Sequence, residues 1–235
     1  MYLSKLIDDR NRPLWESLNA AFTIDIELSD NDEYSCFNIN KNSTIYVVPH
    51  DLSPESFTHE LLHLYLRLKE TYIGAAFTMM VKDSKTLTKI FSDPLLDHVG
   101  NCLDHIKMFQ IYDGLGFEPT KFIMDFDKIK CTSSDLKLLK QNYRKRGHYS
   151  CEAVDFYIGK YIAIQADFND AIDYDYCLSE MKRLDPSLFG LLERFIIAWE
   201  DFDIESDDII ASSYHLILND LYEDLKKWLS KKVFV

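Results

Sequence analysis

The residues before Pro49 and those after it follow different periods, and that change limits the fold more than any other feature of the 235-residue chain. Phe22-Thr23-Ile24-Asp25-Ile26-Glu27-Leu28 alternates apolar and polar residues with period two, as a half-buried strand does. Ser43-Thr44-Ile45-Tyr46-Val47-Val48 reads as a second strand. Turn formers lie between them, in Ser29–Glu33 and Asn38–Asn42, so the pattern predicts a small antiparallel sheet behind a short helix over 2–20. After Pro49 apolar residues recur at helical spacing, over roughly 54–70, 75–91, 94–113, 134–146, 150–168, 186–200 and 207–230. The expected fold class is α+β and mostly helical, with a small N-terminal β-sheet. No repeat or low-complexity tract interrupts it, and Gly and Pro are thinly spread. Residues 1–235 therefore read as a single domain, with the sheet and motif helices in 1–115 and a helical part in 116–235.

Composition removes several function classes. The formal net charge is −13 and the sequence pI about 4.9, so the average surface repels phosphate backbones and anionic lipid. Neither nucleic acid nor a membrane surface is an expected partner. The five cysteines, Cys36, Cys102, Cys131, Cys151 and Cys177, are odd in number and never paired as CxxC. That usage points to reduced thiols in a cytoplasmic protein rather than to a disulfide framework or a cysteine zinc site. Residues 1–10 lack the apolar run of a secretory signal, and no long uncharged apolar stretch suggests a membrane span.

One motif carries chemistry. His59-Glu60-Leu61-Leu62-His63 fits the pattern HExxH, for which seven His and thirteen Glu in the chain give about 0.01 chance matches. Ser53, Pro54 and Glu55 precede it as a hydroxyl cap, a proline at the first helical position and a carboxylate near the positive end of the helix dipole. On that helix Phe57, Leu61, Leu64, Tyr65 and Leu68 form an apolar stripe, while His59 and His63 project one turn apart on another side. Two neutral imidazoles at this spacing can close on one zinc ion. A Glu directly after the first His is then placed to take a proton from the water that zinc activates.

The strand Thr44–Val48, a short loop and a helix bearing HExxH resemble the zincin metallopeptidases, over a stretch from Phe22 to about Ile111. The resemblance implies one catalytic zinc, hydrolysis of a peptide or protein, and a substrate strand pairing with the sheet edge beside the motif helix. Leu66 and Lys69 stand where a metzincin has its glycine and third histidine, so the third ligand comes from elsewhere. Asp97-x-x-x-Asn101 resembles the ExxxN or ExxxD pattern of the gluzincin-like branch, including the ImmA/IrrE type. That implies Asp97 as third ligand and Asn101 as the residue orienting it. Asp104 and His105 share the same helical stripe and are alternative ligands; a His105 that is not a ligand can hydrogen-bond a carboxylate or the oxyanion of the reaction.

The remaining candidates read as structure. His148-Tyr149 can supply an oxyanion donor, but the basic Arg144-Lys145-Arg146 followed by Gly147 reads first as a capped helix end. His50 reads as a loop residue. The acidic run Asp201–Asp208 lacks the ligand pattern of a calcium loop and reads as the solvated start of the last helix. The stripes in Phe189–Trp199 and Ile209–Trp228 read as core. The expected activity is that of a zinc-dependent peptidase with Glu60 as base. Competing expectations are a noncatalytic interaction protein on the same scaffold and a hydrolase of non-peptide amides.

Overall fold

The computed structural model describes residues 3–206 and 213–235. Helix accounts for 59% of the described residues and a three-stranded sheet is their main β element, which makes the fold α+β and mostly helical. Chain contacts divide it into two compact units, one of residues 1–71 and 107–127, the other of residues 72–106 and 128–235.

The first unit begins with helices α1 (Leu3–Leu6) and α2 (Arg12–Ala21). The single helix expected over 2–20 is broken because Asn11, fully buried, uses its side chain to organise the turn. Its Nδ2 donates to Leu6 O and Thr58 Oγ1, both at 2.9 Å, and its Oδ1 accepts from Asp8 N at 2.9 Å. Strands β1 (Thr23–Leu28), β2 (Ser35–Ile39) and β3 (Asn42–Val47) follow. Their order is β1-β3-β2, with β1 parallel and β2 antiparallel to β3. The sheet is therefore mixed rather than antiparallel, because β2, whose apolar Phe37 and Ile39 lie on its exposed face, intervenes in sequence. Asn40, at φ 57°, makes the tight β2–β3 turn.

Helix α3 (Pro54–Leu68) starts as its sequence dictates: the Ser53 hydroxyl accepts from Ser56 N and Pro54 occupies the first turn. Its apolar face, Phe57, Leu61 and Leu64, packs with Leu6, Leu18, Ile45 and Val47 into the first core. Helix α5 (Asp93–Gly114) is unbroken across the division between the units, so its last turns, from Lys107, belong to the first.

The second unit is helical: α4 (Ile73–Lys82), the first part of α5, α6 (Ser133–Asn142), α7 (Cys151–Gln165), α8 (Asp175–Leu184), α9 (Pro186–Asp201) and α10 (Tyr214–Leu229). Between α4 and α5 only a 3-10 turn, Leu87–Lys89, replaces the rest of the helix expected to residue 91. Ser84 ends that helix by turning its hydroxyl onto Leu87 N. Beyond α6 lies the hairpin β4 (Arg144–Lys145) and β5 (His148–Tyr149). Arg146 and Gly147 both take positive φ, 52° and 89°, so Gly147 serves a two-residue hairpin turn and not a helix cap. The core is anchored by Trp199, fully buried, whose indole donates to Leu103 O at 2.9 Å. Buried Asp185 caps α9 through Leu188 N and also receives Tyr143, Trp228 and Lys232. Helix α8 was not evident from the sequence. The acidic run starts at the end of α9, and its last two residues lie outside the described ones. Among the described residues no helix is long and apolar enough to cross a membrane.

Candidate metal centre

The Ser53 cap fixes the phase of α3, and with it the directions of His59, Glu60 and His63. The imidazoles of His59 and His63 lie one turn apart with ring centroids at 5.1 Å and planes at 71°. His105, buried on α5 only two residues before Lys107, completes a group: one ligand atom from each of His59, His63 and His105 lies within 4.8 Å of the others. A tetrahedral zinc with bonds of about 2.0–2.1 Å needs donor nitrogens about 3.4 Å apart. Three imidazoles are a zinc donor set in their own right.

Glu60 is 6% exposed, and among the described residues its carboxylate makes no hydrogen bond or ion pair. Burial pushes its carboxyl up to about 7, against a smaller lowering pull from His63. The Glu60 charge is also felt on β2 and just before it. It adds to the burial that raises the Cys36 thiol to about 12, and to the burial that raises the Tyr34 phenol to about 12. The carboxylate thus lies on the β2 side of α3, next to His63. The three imidazoles beside it could hold a metal ion.

The other sequence candidates are distributed plainly. Asp97 and Asn101 are exposed on α5, and Asp97 stands eight residues, about 12 Å of helix rise, from His105. Neither Asp97 nor Asp104 joins the group, although Asp104 is buried beside His105. Of the three candidates for the third position only His105 falls in this group; it lies about one turn beyond Asn101, the end of the ExxxN-like segment. His148 is exposed in β5 of the second unit, and His50 is exposed, 3.9 Å from Asp32.

Phe122 was not legible as a site residue. It packs on His59 at 4.9 Å between centroids and touches Phe109 and Tyr112 at 5.3 and 5.1 Å. The signal that could have pointed to it is the recurrence of Phe117, Phe122 and Phe126 between α5 and α6. The sequence matches no protein-family model, and comparison with curated proteins and with solved structures finds no match.

Proposed function

We propose that the chain is a zinc-dependent hydrolase of peptide bonds on a zincin-like scaffold, with His59, His63 and His105 as ligands and Glu60 as general base. The observation that carries this reading is the convergence of three imidazole ligand atoms within 4.8 Å beside the buried Glu60 side chain. Zinc held there supplies a Lewis acid and brings the pKa of water down to about 7.

The chain's own residues do the rest. His59, His63 and His105 bind as neutral imidazoles, so they leave the positive charge of the site uncompensated and available to a developing oxyanion. Glu60 is close to the operating pH through burial, which suits a group that takes a proton from the attacking water and returns it to the leaving amine. Strand β2 is at the sheet edge and passes the Glu60 side of α3. An extended peptide can pair with such an edge and present a backbone carbonyl, which favours a peptide over another amide. None of the five cysteines is in a disulfide, which is in keeping with a reducing, cytoplasmic setting.

The test is hydrolysis of a mixed-sequence quenched-peptide library by the zinc-loaded chain and by Glu60→Gln. The reading expects the variant to keep its zinc and its helical content while its rate falls by about 10²–10⁴-fold. Hydrolysis at the parental rate by Glu60→Gln, or none by the parent, contradicts it and leaves a scaffold that works by interaction.

A further inference from the structure

We infer that residues 115–127, which leave α5 and return past α3, form a strap that gates exchange at the metal centre, with Phe122 as the plug. The inference rests on His59 being a metal ligand and concerns how that ligand is reached. Phe122 is 2% exposed and its ring covers the His59 imidazole at 4.9 Å between centroids. Phe109 and Tyr112 of α5 complete an aromatic cup around it. An apolar ring seated on a ligand imidazole keeps water and solutes from that side of the site.

The backbone that carries the plug has no sheet ladder or long helix to hold it, only short turns and the buried rings of Phe117, Phe122 and Phe126. Its only helical turn is the 3-10 turn Pro119–Lys121. Backbone bonds along the segment close short turns: Gly116 N to Asp113 O, Lys121 N to Glu118 O, Phe122 N to Pro119 O and Phe126 N to Ile123 O. At its start Gly116 takes φ +81° in open space, a conformation that a side chain would strain. The same end is pinned. Arg10 stacks its guanidinium 3.9 Å from the centre of the Phe117 ring and donates to Gly116 O at 3.5 Å. It also pairs with Asp8 at 2.6 Å and with Glu55 of α3 at 3.0 Å. One end is therefore held to the first turn of α3, while the plug is retained by ring packing. Segments of this kind are the ones that open without global unfolding.

The experiment uses the full zinc-loaded chain mixed with an excess of a chromogenic chelator, and the metal-free chain mixed with zinc. Phe122→Ala should release and take up zinc at least tenfold faster than the parent, with the dissociation constant within threefold. Phe122→Leu, which keeps an apolar plug, and Met124→Ala, at an 84% exposed position of the same strap, should stay within threefold of the parental rates. Parental exchange rates in Phe122→Ala overturn the gate. So does faster release without faster uptake, which would make Phe122 a prop for His59 only. Amide hydrogen exchange on the unmodified chain is the second arm: amides of 115–127 should exchange at least a hundredfold faster than those of α3, and equal protection overturns the inference. A parent that binds no zinc refutes the metal reading instead, and the amide arm still judges the strap.

Discussion

Glu60 concentrates the argument at the scale of single residues. Its carboxyl is raised from 4.5 to about 7, so the native metal-free chain holds this proton more tightly than the unfolded chain does. Between those two values the native state binds more protons, and stability falls as pH rises through the window. Chemical denaturation of chelated Glu60→Gln should therefore show little gain over the parent near pH 4.5 and a gain on the order of 3 kcal/mol near pH 8; a gain independent of pH would refute the buried-charge account. Tyr112 offers a second case. Its hydroxyl is buried with no hydrogen-bond partner among the described residues, in a fully buried side chain. Tyr112→Phe should leave the fold intact and raise stability by up to about 1 kcal/mol, measured the same way; a clear loss would show that the hydroxyl has a partner in solution. The placement of His59 and His63 one turn apart was legible because a capped helix of 3.6 residues per turn fixes their relative directions. That His105 joins their group was legible only as one of three choices, since periodicity within a helix does not say which of its turns meets its neighbour.

Between elements, the close approach of α4 and α5 sets the strictest condition. A Cβ on Gly100 would sit 3.2 Å from Gly74 Cα, and one on Gly74 would sit 2.8 Å from Gly100 Cα. Backbone cannot yield as a side chain can, so Gly74→Ala should cost more than Gly100→Ala, each in the range of about 1–3 kcal/mol. Equal stability of both variants and the parent in denaturant would mean that the helices are not in contact there. In the sequence Gly100 stood beside Asn101 in a motif-like setting, whereas its role in the structure is to admit a helix. Other features escaped for comparable reasons. Strand β2 alternates in burial, but its apolar Phe37 and Ile39 take the exposed face, at 61% and 58% exposure, so its sequence lacks the apolar-in, polar-out signature of a half-buried strand. The Arg146-Gly147 turn looked like a helix end because a glycine at positive φ serves both purposes.

At the scale of the whole molecule, the α+β class and the helical majority were readable from the change of period at Pro49. The division of the chain was not. The first unit takes residues 107–127 from the middle of the sequence, and no composition shift or linker marks that exchange, because α5 runs through it without a break. The same helix carries His105 at its point of passage, so the donor set joins segments far apart in sequence. Metal binding should consequently depend on residues that no local pattern connects. The most direct test is zinc per chain, by elemental analysis of the full chain purified without chelator, beside His63→Ala, His105→Ala and Asp97→Ala. The account predicts about one zinc in the parent and in Asp97→Ala, and little or none in the two histidine variants. Zinc retained without His105 and lost without Asp97 would contradict the three-histidine centre, and a parent that takes up no zinc would contradict the metal centre altogether.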